Sequence, residues 1–209
     1  MNTAEQNRQN KGITLRTVSV QDARQLLRIY EPYVRNTAIT FEYQTPSLEE
    51  FTERIRQIQK RYPYLAAEKD GKILGYTYAG TFKNRDAYDW AAETSIYVDP
   101  EHKGEGLGRL LYEALEEALR AQGILNAEAC IGVPQNGGED EYLTMDSVRF
   151  HERMGYRMAG EFIRCGCKYG RWYNMVWMEK HIGRHVENQP PVKAFLQVED
   201  ELRKKGVFL

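Results

Sequence analysis

Three glycines stand at every second position just before an apolar helical pattern, in the stretch "DPEHKGEGLGRLLYEAL" at residues 99–115. Alternating glycines leave backbone amides unobstructed, and a helix that begins there presents its positive end to the same point. Lys103, directly before the first glycine, adds a cation at the rim. This combination is typical of a site that binds a phosphate or another anion.

Four interpretations compete for Gly104, Gly106 and Gly108. A dinucleotide-binding G-x-G-x-x-G fingerprint is excluded because its third glycine would be Arg109. A Walker A loop is excluded because no G-K-S/T ending follows the glycines. Two interpretations stay open. The glycines form either a turn that only caps the helix or a cradle of successive amides for a pyrophosphate.

The elements that precede the glycines alternate between strands and helices. Alternating apolar residues predict a strand at "ITLRTVSV", and the pattern of "QDARQLLRIYEPYVRN" predicts a helix after it. Ser47, with Glu50 three places on, predicts the capping box of a second helix. Asp70-Gly71 predicts a hairpin between two strands, and "DWAAETSIYV" is a further strand that leads into the glycines. The order indicates an α+β (mixed α/β) fold.

The second half of the chain predicts a helix that ends at Gly123, a strand at "NAEACIGV" and a short helix at "SVRFHERMGY". A closing pair of strands covers "RMAGEFIRCGCKYGRWYNMVWMEK". We therefore expect a disordered tail at residues 1–11, one domain at residues 12–183, and an extension at residues 184–209 that packs on the outside.

The composition is that of an ordinary soluble globular protein, with 42% hydrophobic and 28% charged residues. A net charge of −1 gives no field that would collect nucleic acid or an anionic membrane. The start lacks the apolar stretch of a signal peptide, and no later run approaches the roughly 20 apolar residues of a membrane span. Three cysteines provide neither a disulfide framework nor zinc-ligand spacing. We expect a cytoplasmic protein without a metal.

The stretch "HKGEGLG" after "SIYVDP" resembles the (Q/R)-x-x-G-x-G/A coenzyme A motif of the GNAT acetyltransferase superfamily, with Lys103 at the Gln/Arg position. "RYPYLAAEKDG", "YAGTFKNRDAYDWAAETSIYV" and "SVRFHERMGY" are similar to its phosphinothricin N-acetyltransferase branch, over about residues 12–180. The resemblance implies a central, mostly antiparallel twisted sheet of about seven strands flanked by helices. It also implies an acetyl-CoA-dependent N-acetyltransferase that is usually a homodimer and acts on a small amine.

The resemblance further implies how the cofactor is held. Backbone amides near Tyr97 and Val98 would bind the pantetheine arm or polarise the thioester in a splayed central strand. Asp146 stands where the family typically has an asparagine that contacts the cofactor. The candidate cofactor-binding residues are Ile96, Tyr97, Val98, Lys103, Gly104, Glu105, Gly106, Leu107, Gly108, Arg109, Asp146 and Ser147.

Glu93 is the candidate general base. It precedes Val98 by five residues, roughly 16 Å at strand rise, which suits a pantetheine arm that reaches from the phosphate cradle to a reacting thioester. A carboxylate there could take a proton from an ammonium group, directly or through a water molecule. A random glutamate in this position is usually a solvated strand-end residue. The resemblance places the family's catalytic glutamate at Glu93.

His151 is the second candidate catalytic residue. It lies one helical turn from Ser147 and from Met154, so it faces inward with them. A lone inward histidine is usually a satisfied core residue, but the resemblance places the family's catalytic-site histidine here. It could deprotonate the amine or protonate the thiolate, and the sequence does not choose between these roles.

The loop "FKNRDAYDW" carries two cations, which by themselves are typical of a solvated loop. The resemblance implies an acceptor pocket for phosphinothricin, methionine sulfoximine or a relative. In that pocket Arg85 would hold a carboxylate or phosphinate through two hydrogen bonds, and Lys83 would act as a point charge. The candidate pocket residues are Phe41, Lys83, Arg85, Tyr88, Tyr112, Gly132 and Met175.

One segment departs from the family pattern. "QNGGEDEYLTMD", residues 135–146, is an insertion with four acidic residues, which could narrow the acceptor side or repel anions. Two rival functions are kept. A non-catalytic acetyl-CoA-binding module would be expected to lack Glu93 or His151, and both are present. An acetyltransferase for a protein N-terminus would need an open groove, which the insertion and the last hairpin disfavour. An acetyltransferase for a polyamine would be favoured if Glu139, Asp140 and Glu141 pointed into the pocket.

Overall fold

Within residues 12–135, 138 and 140–209, which a computed structural model describes, the chain forms one seven-stranded sheet. The strands are β1 (Thr14–Thr17), β2 (Tyr64–Lys69), β3 (Lys72–Thr81), β4 (Ala91–Val98), β5 (Asn126–Val133), β6 (Arg157–Lys168) and β7 (Arg171–His181). Their spatial order is β1-β2-β3-β4-β5-β7-β6, and only β4 and β5 run parallel. The predicted mostly antiparallel sheet of about seven strands is confirmed.

Helices cover both faces of the sheet in the same described part of the chain. They are α1 (Ala23–Asn36), α2 (Leu48–Gln59), α3 (Leu107–Gln122), α4 (Asp146–Arg153) and α5 (Glu199–Lys204). The predicted capping box begins α2, because the Ser47 hydroxyl accepts from the Glu50 amide at 3.1 Å and the Glu50 carboxylate accepts from the Ser47 amide at 2.8 Å. The predicted hairpin joins β2 to β3, and Asp70 and Gly71 both have positive φ, at 50° and 78°.

The first strand is shorter than its sequence pattern predicts. It ends at Thr17, and a single 3-10 turn at Val20–Asp22 follows. The Asp22 carboxylate causes this break, because it accepts a hydrogen bond from the Ser19 amide at 2.8 Å and also pairs with Arg16 at 2.7 Å. The backbone therefore turns toward α1 instead of continuing the alternating pattern.

The two faces of β4 pack against different helices. Ala92 and Ile96 point to the face covered by α3 and α4, which we call the α3 face. Glu93, Ser95 and Tyr97 point to the opposite side, because residues alternate along a strand. There Tyr97 packs among residues of α1 and α2, and we call this side the α1 face. A residue on β4 therefore takes part in one of two separate environments.

The C-terminal segment contributes to the core of the α3 face. Five apolar side chains of the segment are buried with residues of β1, β2 and α3, namely Phe195, Val198, Leu202, Val207 and Phe208. Its backbone is tied to the sheet where the Leu209 amide donates to the Leu15 carbonyl at 2.8 Å. The expected tail at residues 1–11 lies outside the described residues. No helix in the described part is both long enough and apolar enough to cross a membrane.

Candidate active site

The three glycines before α3 serve different structural purposes. Gly104 and Gly106 have φ of 81° and 85°, a conformation that residues with a side chain rarely adopt, and a Cβ at either position would meet no atom within 4 Å. A Cβ on Gly108 would instead lie 2.9 Å from the Phe150 ring. The first two glycines therefore shape the backbone, and the third allows α3 and α4 to approach each other closely.

A cavity of about 520 Å³ lies at the N-terminus of α3. Three cations line it, Lys103, Arg109 and Arg153, together with one carboxylate, Asp146. Ten of the twelve candidate cofactor-binding residues line this cavity, namely Ile96, Val98, Lys103, Gly104, Gly106, Leu107, Gly108, Arg109, Asp146 and Ser147. A helix N-terminus, positive side chains and unobstructed amides together favour an anionic ligand.

The other two cofactor candidates lie elsewhere. The Tyr97 side chain packs edge-on against the rings of Tyr30 and Tyr33 on the α1 face, at 4.9 and 5.3 Å between ring centroids. Glu105 is not among the lining residues, and its carboxylate lies 3.0 Å from His102 Nδ1. Tyr97 lines instead a smaller cavity between β4 and β5.

Strands β4 and β5 pair only over Ala91–Glu93 and then separate. We call the gap between residues 94–97 of β4 and residues 129–132 of β5 the splay. It contains a small cavity of about 70 Å³, lined also by Tyr112, Ser147 and His151. This cavity shares Ile39, Ile96 and Ser147 with the larger one. The two cavities therefore lie next to each other, one at the α3 N-terminus and one in the splay.

His151 is buried beside the splay, with a relative exposure of 4%. Its Nδ1 lies 2.7 Å from the Ser147 carbonyl, which only accepts, so Nδ1 carries the hydrogen. Burial lowers the pKa of His151, which favours the neutral ring. Nε2 then accepts from the Tyr112 hydroxyl at 2.9 Å, and that hydroxyl also lies 3.3 Å from Thr94 Oγ1. Tyr112 and His151 thus act as one hydrogen-bonded unit.

Glu93 lies on the α1 face at the point where β4 and β5 separate. It is partly buried, and burial raises the pKa of its carboxyl above the ordinary value, while the nearby Lys83 ammonium opposes that rise. Neither a hydrogen bond nor an ion pair holds this carboxylate within the described residues. A carboxylate with a raised pKa and unused acceptor capacity is suited to take up a proton.

Three candidate acceptor residues meet next to the splay on the α1 face. A Cβ on Gly132 would lie 3.4 Å from the Phe41 ring, so the bare glycine gives that ring room. Met175 stands opposite Gly132 in the register of β5 and β7. Phe41 also fills the space above Gly166, where a Cβ would lie 2.7 Å from the ring. The result is an apolar wall beside the splay.

Of the three candidate acceptor residues in the loop before β4, only Lys83 lies near Glu93. Lys83 Nζ lies over the rings of Phe82 and Trp177, at 4.9 and 5.4 Å from their centroids, and its charge acts on Glu93. Arg85 is exposed and does not line the splay. Tyr88 is 44% exposed and borders a separate pocket, lined also by residues of the C-terminal segment.

The insertion turns most of its described acidic side chains toward β7. Arg171 pairs with Asp140 at 2.7 Å and with Glu141 at 3.0 Å, and Asp140 also accepts from the Tyr173 hydroxyl at 3.0 Å. Leu143, with 2% exposure, packs instead toward Phe41. Because Asp140 and Glu141 are both paired with Arg171, they give no reason to expect that the insertion repels anions. Glu139, another acidic residue of the insertion, lies outside the described residues.

Several residues that line the two cavities were not predicted from the sequence. Cys130 lines the splay, and its position two residues before Gly132 on a strand could have indicated a shared face. Arg153 and Phe150 line the larger cavity from α4, and no signal in their own stretch distinguishes them from ordinary helix residues. Tyr33 donates from its hydroxyl to the Val98 carbonyl at 2.5 Å across 65 positions of sequence. Only the folded chain brings these together.

No cluster of three or more His, Cys, Asp or Glu side chains in residues 12–135, 138 and 140–209 could hold a metal ion. The geometry presents instead a cavity lined by cations at a helix N-terminus, a small neighbouring cavity in the splay, and a carboxylate with a raised pKa. Such a set fits a transfer between two organic molecules that enter from opposite faces of β4.

Comparison with known proteins gives a consistent picture. The family described as "Acetyltransferase (GNAT) domain" matches residues 15–177. Phosphinothricin N-acetyltransferase of Streptomyces viridochromogenes is 31% identical over 172 residues, which cover 82% of this chain and 89% of that protein. L-methionine sulfoximine/L-methionine sulfone acetyltransferase of Salmonella typhimurium is 28% identical over 178 residues, which cover 83% and 97%.

A solved structure shares the fold. It is the GNAT superfamily phosphinothricin acetyltransferase from Sinorhizobium meliloti in complex with AcCoA, with a TM-score of 0.76 and 31% identity. The match covers 88% of this chain and 98% of that one. The family match and these similarities confirm the resemblance seen in the sequence. The chain belongs to the GNAT acetyltransferase family and is an N-acetyltransferase.

Proposed function

We propose that this enzyme transfers an acetyl group from acetyl-CoA to the amino group of a small amino-acid acceptor of the phosphinothricin or methionine sulfoximine type. One observation carries the proposal. The cavity at the α3 N-terminus borders the small cavity in the splay, and Glu93 stands at the start of the splay with its side chain on the opposite face of β4. The names of the relatives support the acceptor type.

The cavity at α3 fits the diphosphate of acetyl-CoA. The backbone amides from Gly104 to Gly108 and the cations Lys103, Arg109 and Arg153 would hold the phosphate groups. The bound thioester supplies the activated acetyl group. The backbone of residues 96–98 would accompany the pantetheine arm, since this part of β4 has no pairing with β5. A solved relative in complex with AcCoA supports this choice of co-substrate.

Glu93 is proposed as the general base. An amino acid carries an ammonium group at neutral pH, and it must lose a proton before its nitrogen can attack. Burial raises the pKa of the Glu93 carboxyl, which makes the carboxylate a stronger base, while the charge of Lys83 opposes that rise. The proton leaves on the α1 face, away from the cavity at α3.

Tyr112 and His151 are proposed to act on the other side of the splay. Tyr112 and His151 both line the splay, and the neutral His151 ring accepts a hydrogen bond from the Tyr112 hydroxyl. This hydrogen bond would orient the Tyr112 hydroxyl in the splay. It would also let a proton pass between His151 and the reacting group through that hydroxyl. The fully buried Tyr112 is thus better placed beside the acetyl group than in the acceptor wall.

The acceptor would bind on the α1 face. Lys83 stands near Glu93, and the exposed Arg85 is two residues further along the same loop. A lysine acts as a point charge and an arginine as a two-pronged donor, so together they suit an acceptor with a carboxylate and a second anionic group. Phe41, Gly132 and Met175 supply the apolar wall.

Three further proposals concern the whole protein. We propose a catalytic domain at residues 12–183 with an extension at residues 184–209. We propose a homodimer, supported by the exposed apolar side chains of the β6–β7 hairpin, Met158, Phe162, Ile163 and Trp172. We also propose a cytoplasmic location, supported by the three free cysteines.

A thiol-release assay tests the proposal. Purified protein and acetyl-CoA are offered phosphinothricin, methionine sulfoximine, a panel of other amino acids, and spermidine as a carboxyl-free amine. We expect turnover of the first two and none of spermidine. Turnover of spermidine without acetylation of either amino acid would contradict the acceptor assignment and leave only the membership of the acetyltransferase family.

A further inference from the structure

The lysine at the end of β6 is buried without a carboxylate partner. Lys168 has a relative exposure of 2%, and no ion pair within 4.0 Å involves it in the described part of the chain. Its ammonium donates to three backbone carbonyls, those of Val34 at 2.7 Å and of Thr37 and Thr40 at 2.8 Å each. A lysine has three N–H donors, so all three are used.

Burying a charge is costly unless strong hydrogen bonds compensate for the lost water. Here burial lowers the pKa of Lys168, and the Glu42 carboxylate opposes that shift. The three carbonyls include one from the last turn of α1, where a carbonyl has no partner within the helix. The ammonium therefore caps the C-terminal end of α1 and also binds the chain segment that follows the helix.

The segment that follows α1 comprises residues 37–43, and we call it the acceptor loop. Ile39 lines both the splay and the cavity at α3, and Phe41 forms the apolar wall above Gly132. The Ala38 side chain is fully buried. The path of this short loop therefore decides how much room the α1 face of the splay offers to an acceptor.

Two distant segments hold the acceptor loop from either side. From the β6–β7 hairpin, the Cys167 carbonyl accepts from the Tyr43 hydroxyl at 2.6 Å, and the Tyr169 hydroxyl donates to Val34 at 3.2 Å. From the insertion, the Tyr142 carbonyl accepts from the Ala38 amide at 2.9 Å. These bonds join neutral groups. Hydrogen bonds from an ammonium are roughly twice as strong. The loop also carries a charged contact at Glu42, which pairs with Arg54 at 2.7 Å, but that pair is partly exposed to solvent and so contributes less than the buried bonds of Lys168.

We infer that Lys168 is a positioning residue whose three carbonyl bonds hold the acceptor loop at the width that a small amino-acid acceptor needs. The residue acts through Ile39 and Phe41 and does not touch the reacting atoms. It therefore sets KM for the acceptor, while the affinity for acetyl-CoA depends on Gly104 to Gly108. This inference rests on the proposed acceptor site on the α1 face.

Lys168→Met tests the inference, because methionine keeps most of the side-chain length and removes all three donors. We expect KM for the amino-acid acceptor to rise at least about tenfold, as for loss of a charged hydrogen bond to a well-held loop. The dissociation constant of acetyl-CoA should change less than about threefold, since the phosphate groups would be held by residues 103–109 and Ile39 is the one residue of the acceptor loop that lines that cavity. Lys168→Arg, which keeps the charge and several donors, should recover part of the acceptor KM.

Hydrogen exchange of the amides in residues 37–43 supplies a readout that needs no activity. We expect these amides to exchange at least about tenfold faster in Lys168→Met than in the wild type, since local opening becomes easier. Tyr43→Phe is the matched control. It removes a solvent-facing bond between the same two segments and should change the acceptor KM by less than about twofold.

Two outcomes would overturn the inference. One is an unchanged acceptor KM and unchanged exchange in a folded Lys168→Met. The other is a rise in acceptor KM that comes with an equal fall in acetyl-CoA affinity and with faster exchange throughout the chain. That result would indicate a general structural role. Failure of the proposed function is distinguishable, because it appears as a wild-type enzyme that acetylates no amino acid, while the exchange experiment still reports on the loop.

Discussion

The two sides of β4 are built in different ways. On the α3 face, the cavity is formed mainly by a continuous stretch at residues 96–109 and by the adjacent helix α4. On the α1 face, the acceptor loop, the loop before β4, the insertion and the β6–β7 hairpin meet from positions up to 134 residues apart. The first side depends on local backbone geometry, whereas the second depends on long-range contacts.

This difference has a functional consequence. A cavity shaped by positive-φ glycines and a helix end can keep one ligand through large changes elsewhere in the sequence. A pocket assembled from loops changes with each insertion, and this chain carries one at residues 135–146. Variants on the α3 face should therefore alter acetyl-CoA affinity, and variants on the α1 face should alter the choice and the chemistry of the acceptor.

The largest effect is expected from Glu93→Gln, which keeps the size of the side chain and removes the proton acceptor. We expect kcat to fall by roughly 10² to 10⁴, the usual contribution of a general base. Wild-type kcat/KM should decline as the pH falls through the raised pKa of Glu93, because the protonated carboxyl cannot act as a base. The variant should lack this acid limb and recover partly at high pH, where the amine is already neutral.

Glu128→Gln is the control for this pH profile. Glu128 is the register partner of Glu93 on β5, and burial, together with the Glu179 charge, raises its pKa to about 7. The acid limb should persist in Glu128→Gln. If the limb disappears there and stays in Glu93→Gln, the base has been assigned to the wrong carboxylate.

The next effect concerns the α3 face. Valine at position 106 cannot easily adopt φ of 85°, so Gly106→Val should turn the amides away from the phosphate groups. We expect the dissociation constant of acetyl-CoA to rise at least about tenfold, about 1.4 kcal/mol, in a calorimetric titration. Gly160→Val is the control, since Gly160 has no positive φ and no atom within 4 Å of its Cβ position. Unchanged affinity in a folded Gly106→Val would mean that the glycines form only a turn.

On the α1 face, Arg85→Ala should raise KM for an amino-acid acceptor and leave acetyl-CoA affinity unchanged. Loss of a charge-assisted two-pronged contact costs about 1.5 to 3 kcal/mol, so kcat/KM should fall at least about tenfold. Steady-state kinetics at saturating acetyl-CoA would measure it. A variant with wild-type kcat/KM for every amino-acid acceptor would remove Arg85 from the pocket, in keeping with its exposed position.

The smallest effect is expected from the double variant Asp140→Asn, Glu141→Gln. Both carboxylates pair with Arg171 at the protein surface, and such pairs contribute about 0 to 1 kcal/mol to stability. We expect kcat/KM for amino-acid acceptors to change less than about twofold, because neither charge lines the splay. A large gain for anionic acceptors would show that these charges reach the acceptor after all.

The sequence predicted the α3 face better than the α1 face, for physical reasons. The glycine spacing, the apolar pattern of α3 and the cap at Ser47 are local signals, and each appears in the structure. The buried Lys168 gave no signal, because its partners are carbonyls, which every residue has, and they lie far away in the chain. The charges of the insertion suggested repulsion of anions, since the pairing with Arg171 exists only in the folded chain.

A crystal structure with acetyl-CoA and a non-reactive amino-acid analogue tests the central claim most directly, namely that the two substrates approach Glu93 from opposite faces of β4. We expect the diphosphate within hydrogen-bond distance of the amides at residues 104–108 and the acetyl group in the splay beside Tyr112. The analogue should lie on the α1 face, with its amine near Glu93. An analogue bound on the α3 face, or a diphosphate away from the glycines, would contradict the account.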